Sequence, residues 1–147
     1  MRFWITARLN VHLNPEDILV RFGLERGGRV QQIIDQRVID YSRRYIPASP
    51  NRILENSAQP STEIGSGEVI YNTPYARYQY YGHVMTDEAG RTWVGPGERK
   101  PIVHEDWPLH YDTAQNKLAG AYFFERSKAD NCKKWVEGVN RVAKQGE

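Results

Sequence analysis

The chain has 147 residues with 20 basic against 18 acidic side chains and a net charge of +2. That size suits one domain, 1–147, able to bury a core without disulfide or metal support. So weak and mixed a charge makes no case for nucleic acid by itself, and no apolar run reaches membrane-spanning length. Met1 leads straight into a patterned segment without the apolar stretch of a signal peptide, so a chain not exported by that route is expected. The lone cysteine, Cys132, cannot close an internal disulfide, which fits assembly in a reducing cytoplasm. Nine tyrosines and four tryptophans are plentiful for this length and point to contact surface.

From Arg2 to Leu13 the sequence alternates. Phe3, Ile5, Ala7, Leu9, Val11 and Leu13 share one face; Arg2, Trp4, Thr6, Arg8, Asn10 and His12 share the other. Period two predicts a half-buried strand with one solvated or partner-facing side. Asn14-Pro15-Glu16-Asp17 then predicts a helix start, with Asn14 as cap, Pro15 in the first helical position and two acids at the positive end of the dipole. This short helix is expected to stop at Gly23. After a Gly27-Gly28 joint, Val30, Ile34, Val38, Tyr41 and Tyr45 recur at helical spacing and predict a long helix over residues 29–45, closed by Pro47.

The middle predicts short strands at Asn51–Ala58, Thr62–Ile64 and Glu68–Thr73, the last two forming a hairpin around Gly65-Ser66-Gly67. Pro74 predicts a turn or two of helix through Tyr80, ended by Gly82. Val84–Val94 predicts a second hairpin turning at Glu88-Ala89-Gly90, and Gly95–Tyr111 an irregular loop rich in Pro and Gly. A final helix is expected from Ala121 to Lys144, with Ala129, Cys132, Val136, Val139 and Ala143 as its apolar stripe. Together these elements predict an α+β fold: a small antiparallel sheet packed by a long central helix and a long C-terminal helix.

Four features invite a chemical reading. Gly65-x-Gly67 lacks the third glycine of a dinucleotide loop and leads toward a strand, so its glycines are read as turn residues. His104, Glu105, Asp106, His110 and Asp112 carry metal-ligand chemistry, but the two histidines lack helical spacing and Pro108 lies between them, which favours solvated loop residues. Cys132 falls on an apolar stripe and is expected to pack as a small hydrophobe. Arg26, Arg29, Arg37, Arg43 and Arg44 read as a solvated helix face, with a partner- or DNA-facing stripe as the sharper alternative.

The densest feature is the run Gly65 to Gly82, GSGEVIYNTPYARYQYYG, with five tyrosines. Tyrosine joins a large apolar ring to a hydroxyl that needs a partner, which suits half-buried sites and interfaces. The cluster is therefore expected to pack on the chain's own sheet or on a neighbouring subunit. Tyr75, Arg77, Tyr78, Tyr80 and Tyr81, together with Trp4, Trp93 and Trp107, form the expected interface set.

The run Pro74 to Gly82, PYARYQYYG, and the later Tyr122-Phe123-Phe124-Glu125-Arg126 with Lys128-Ala129-Asp130 resemble one family closely. That family is the minor capsid, or head–tail joining (neck), proteins of long-tailed, siphovirus-type bacteriophages. Gly23-Leu24, Gly27-Gly28-Arg29-Val30-Gln31, Tyr45-Ile46-Pro47 and Ser57 extend the likeness over most of the chain from Gly23 onward. Asn51-Arg52-Ile53-Leu54 stands where the family usually has Gly-x-Leu, and Ser127 where a Met often follows Glu-Arg; the first thirteen residues match nothing in it.

The resemblance implies a structural virion protein and no enzyme. It implies a neck or tail-completion subunit, assembled in the host cytoplasm into a homo-oligomeric ring, expected as a hexamer, in the head-to-tail connector. The implied partners are neighbouring neck, head-closure and tail-terminator proteins. Genomic DNA would pass through the lumen without sequence-specific contact, and no membrane, catalytic residue, cofactor or metal is implied. From their residues, the Gly95–Tyr111 loop is expected to order on assembly, and the N-terminal strand to add contacts between subunits or neck layers, an ordinary sheet strand within one subunit being the alternative. Two rival readings stand beside it: a stand-alone nucleic-acid-binding module using the Tyr/Arg cluster, and a metal hydrolase built on residues 104–112.

Overall fold

The computed structural model describes residues 14–144 except Val94 and Pro96. The expected strand over Arg2–Leu13, and Trp4 with it, lies outside the described residues. Those described form an α+β fold with five α-helices and one two-stranded antiparallel sheet.

Helix α1 (Pro15–Arg21) starts as its sequence predicts: the Asn14 side chain accepts from Glu16 N at 3.2 Å and Pro15 occupies the first turn. Its foot is fixed by Gly23, whose carbonyl accepts from Val30 N and Gln31 N at the start of α2 (Arg29–Ser42). A 3-10 turn at Arg43–Tyr45 prolongs α2 up to Pro47. The deepest residues of α2 are Val30, Asp35, Ile39 and Ser42, while Ile34, Val38 and Tyr41 are only half-buried. The buried face is thus turned from the predicted stripe, because a carboxylate and a hydroxyl occupy it.

Residues expected as the strand Asn51–Ala58 form helix α3 (Ile53–Ser61) instead. Leu54 and Ala58, one turn apart, are both buried, and Glu55 beside them takes Arg52 at 3.4 Å. A strand would place Leu54 and Glu55 on opposite faces; a helix buries both on one side. The expected hairpin of Thr62–Ile64 with Glu68–Thr73 does not form either. Thr62 caps α3, and residues 64–67 turn sharply.

Asp35 explains that turn. This carboxylate is 2% exposed, and its Oδ2 accepts from Gly65 N at 2.7 Å and Gly67 N at 3.1 Å, while Oδ1 accepts from Gln31 Nε2 at 2.8 Å. Gly65 and Gly67 both have positive φ, +100° and +83°. Backbone of this kind points successive N–H groups at one anion, and here the anion is the chain's own side chain.

Helix α4 (Ala76–Tyr81) ends at Gly82, which takes φ +77°. Strand β1 (His83–Thr86) follows directly, and the chain turns at Asp87–Gly90 as expected. Asp87 Oδ1 closes that turn by accepting from Ala89 N and Arg91 N at 3.0 and 2.7 Å. The partner of β1 is β2 (Ile102–Pro108), however, with Thr86 opposite Ile102 and a bulge near His83. Two expectations are corrected together: Arg91–Trp93 do not form the return strand, and 102–108 is not irregular loop. The β-branched Ile102-Val103 makes a better strand than the Gly/Pro-rich stretch before it, and Pro101 and Pro108 sit at its ends, where a missing N–H costs least.

Helix α5 (Phe123–Lys144) runs antiparallel to α2: Tyr45 Oη donates to Asp130 at 2.7 Å near one end, and Arg37 reaches Lys134 O at 3.4 Å further along. Its buried positions are Phe123, Ser127, Asn131 and Gly138, with Trp135 half-buried. The expected stripe is displaced by about one residue. Ala129, Cys132 and Val136 are exposed, and Cys132 does not pack in the core. The central apolar cluster is Tyr45, Ile46, Leu54 and Phe123, with Tyr71, Tyr75, Ala76, Tyr80 and Phe124 packed around it. Asn116 ties the segment before α5 to the end of α2 by donating to Arg43 O and Ile46 O.

Three substitutions test this account. Asp35→Ala removes three hydrogen bonds to a buried carboxylate and strands two backbone N–H groups, so it should cost about 3 kcal/mol, or roughly 10 °C in melting temperature for a chain of this length. Thermal unfolding followed by circular dichroism reads this directly, and a drop below about 2 °C would show that the turn holds without its anion. Gly82→Ala should cost about 3 kcal/mol, because a Cβ there would stand 2.8 Å from the Ala121 Cβ. Gly90→Ala, at the same φ but with open space around it, should cost only about 1 kcal/mol. Equal losses in chemical denaturation would mean that close packing on Ala121 contributes nothing.

Candidate functional site

Pro74 and Gly82 bracket six helical residues, of which three are tyrosines. A helix this short has little stability of its own, so α4 must be held by its side chains. Tyr80 is the centre of that hold. Its ring meets Phe123 edge-on at 4.9 Å between centroids, Tyr81 at 5.4 Å and Tyr122 at 5.7 Å. Its hydroxyl donates to Glu125, and its carbonyl accepts from Tyr122 N at 2.7 Å. Tyr122 takes φ +50° to reach this position. On the other side Tyr111 Oη donates to Gln79 O at 2.7 Å. Tyr80 and Gln79 are therefore held by the start of α5 and the 109–122 segment, while Tyr78 lies beside Val84 and Met85 of the sheet.

Burial raises the hydroxyl pKa of Tyr80 first of all, and the Glu125 hydrogen bond raises it further. Burial also pushes Tyr71 and Tyr111 up to about 12. These hydroxyls stay protonated at neutral pH, and those of Tyr80 and Tyr111 donate hydrogen bonds.

The expected interface residues fall on two sides of α4. Tyr80 and Tyr81 face an apolar groove of about 570 Å³ whose walls include Ile34, Val38, Val69, Phe124 and Trp135. Tyr75 and Tyr78 face a second, more polar cavity of about 840 Å³ shared with Trp93, Arg99 and Lys100. Arg77 lines both. Lys100 Nζ lies 4.8 Å over the Tyr78 ring, a cation–π contact. Trp107 reaches the other side of Tyr78 through a smaller cleft of about 260 Å³. Trp93 is 77% exposed, Trp107 54% and Tyr81 43%, whereas Tyr75, Tyr78 and Tyr80 are half-buried. Seven of the eight expected residues thus surround α4 and the β1–β2 ribbon; Trp4 lies outside the described residues.

The 104–112 acids and histidines take a different arrangement from a loop site. His104 Nε2 lies 2.9 Å from Thr86 Oγ1 across the ribbon, and its ring meets Trp107 edge-on. Among the described residues no group of three or more His, Cys, Asp or Glu side chains is placed to share a cation. No described helix is long and apolar enough to cross a membrane.

Sequence reasoning missed Lys100, Tyr111 and Tyr122 as members of the site. Lys100 and Tyr111 sit in the stretch read as irregular, where no periodicity marks them. Tyr122 was visible as part of an aromatic run, but its left-handed backbone was not. No protein-family model matches this chain, and neither the curated proteins nor the solved structures contain a match to it.

Proposed function

We propose that this chain is a structural protein of a tailed-phage virion, a neck or tail-completion subunit that acts by shape and contact. One observation carries the reading. The two runs that resemble the neck-protein family, Pro74–Gly82 and Tyr122–Asp130, are distant in sequence yet build a single unit, with Tyr80 clasped between Tyr122, Phe123 and Glu125. Beside that unit stand Trp93 and Trp107, large rings left mostly in solvent, with Ile102 and Val103 also exposed. Exposed aromatic surface of this kind marks contact between proteins. In the proposed role, the Tyr80 unit holds α4 rigid and the ribbon presents Trp93 and Trp107 to the adjacent subunit of a ring around the DNA channel.

A second reading, a nucleic-acid-binding module, rests on Arg77, Arg99 and Lys100 gathered around Tyr78 and Trp93. Aromatic rings beside cations can stack bases and hold phosphates. The two readings differ in salt dependence and in assembly.

Trp93→Ala and Trp107→Ala should each leave folding within about 0.5 kcal/mol of the parent, as exposed positions do. Each should weaken association with neck partners by about 2 kcal/mol, roughly 30-fold. Mixing purified subunit with phage heads and tails, then counting joined particles by electron microscopy, measures the effect. Joining that is unaffected by the double variant would sink the proposed interface. Tight, steeply salt-dependent DNA binding by the isolated monomer would favour the second reading over the first.

A further inference from the structure

The groove beside Tyr80 has a strand-like wall that, among the described residues, pairs with no strand. Along 68–73 the side chains alternate: Val69, Tyr71 and Thr73 are half-buried, and Glu68, Ile70 and Asn72 are exposed. That is the pattern of a strand lying on a core. Yet its backbone makes only local bonds among the described residues. Ile70 N donates to Thr62 Oγ1, Glu68 N to Ser66 Oγ and Thr73 N to Tyr71 O. An extended chain without a ladder leaves its amide and carbonyl groups seeking a partner. The groove next to it, walled by Ile34, Val38, Val69, Phe124 and Trp135, is apolar, and Trp135 Nε1 has no partner among the described residues.

We propose that residues 3–13 of the same chain fill this groove, pairing as a strand with Glu68–Thr73. The pattern fits: Phe3, Ile5, Ala7, Leu9, Val11 and Leu13 present one continuous apolar face, which meets α2 and α5 alongside Val69 and Tyr71. The polar face, with Trp4, Arg8 and His12, then points outward beside Glu68 and Ile70. The tether fits as well. The foot of α1 is bonded through Gly23 O to Val30 N and Gln31 N, and Gln31 and Ile34 line the groove. Helix α1 spans about 10 Å, while the preceding eleven residues reach about 35 Å when extended. A segment tethered this closely faces its own groove at an effective concentration of about millimolar, well above that of a second copy in dilute solution. The pairing does not depend on the neck reading.

Thr6→Cys and Ile70→Cys, in a Cys132→Ser background, place one thiol on the outward face of each strand. A short bis-maleimide should join them within one chain, giving a monomer-sized product whose digest contains the linked peptides. Predominantly interchain dimers would assign the groove to a second copy and overturn the proposal; two separately capped cysteines would overturn it too. In a second measurement, Ile5→Glu with Leu9→Glu should speed amide exchange at residues 69–72 by about tenfold or more, with α2 and α5 protected as before. Exchange at 69–72 that is equally fast in the parent and the variant would overturn the pairing by itself. If the charged variant fails to fold, the cross-link decides.

Discussion

A buried carboxylate organises the middle of this protein. Asp35 sits on the inward face of α2 with Gly65 N, Gly67 N and Gln31 Nε2 around it. A charge at 2% exposure is costly unless its oxygens are satisfied, and here three donors satisfy them. The demand runs both ways. The carboxylate needs the turn, and the turn needs two glycines at positive φ to aim its N–H groups. The position of 62–73 follows: the chain leaves α3, wraps the carboxylate, and emerges as the extended 68–73 run that walls the groove. The same geometry explains why the glycine loop is no nucleotide site. An anion already fills it, supplied by the protein.

From that fixed segment the chain passes to α4, and the choice of tyrosine there has a physical reason. Phenylalanine would supply the same edge-to-face packing between Tyr80 and Phe123. The hydroxyl adds a directed bond, from Tyr80 to Glu125 and from Tyr111 to Gln79 O. Directed bonds set the angle at which a six-residue helix meets α5, which apolar contact alone does not. The tyrosines of the PYARYQYYG run therefore split into two groups. Tyr80 is an internal clasp. Tyr75 packs on the central cluster beside it, whereas Tyr81 is exposed and Tyr78, half-buried under Lys100, lines the polar cavity.

Local signals were legible where one residue type has one physical use. Asn14-Pro15 capped α1, Gly82 ended α4 in the left-handed region, Pro47 followed the end of the central helix, and a turn formed at Glu88-Ala89-Gly90 although the hairpin expected around it did not. The α+β class followed from these. Pattern reading failed where polar residues are buried. Ser127, Asn131 and Gly138 lie on the inner face of α5, and a stripe drawn through Cys132 and Val136 misses them by one position. Asp35 and Ser42 displace the stripe on α2 in the same way. Glu55 hid α3, since a charged residue beside Leu54 reads as strand alternation until Arg52 is seen to pair with it. The return strand β2 was missed because its partner lies beyond a long loop, and hairpin signals report only neighbouring strands. Of the candidate site, the residue types were legible and their division into clasp and surface was not.

The β1–β2 ribbon raises a last physical question. Two strands alone are marginal in water, and β2 is exposed along nearly its whole length, with Trp107, Ile102 and Val103 uncovered. The ribbon joins the body where Gly82 runs from α4 into β1 and where Leu109 N donates to Gly82 O. Met85 and Thr86 of β1 are buried against the body while β2 is left bare, so covering the apolar face of β2 would stabilise both the ribbon and whatever covers it. A subunit built to stand alone gains nothing from exposed rings on a marginal ribbon. A subunit that completes its fold by contact gains affinity from the same feature, because the apolar area left bare in the monomer is area still to be removed from water on assembly.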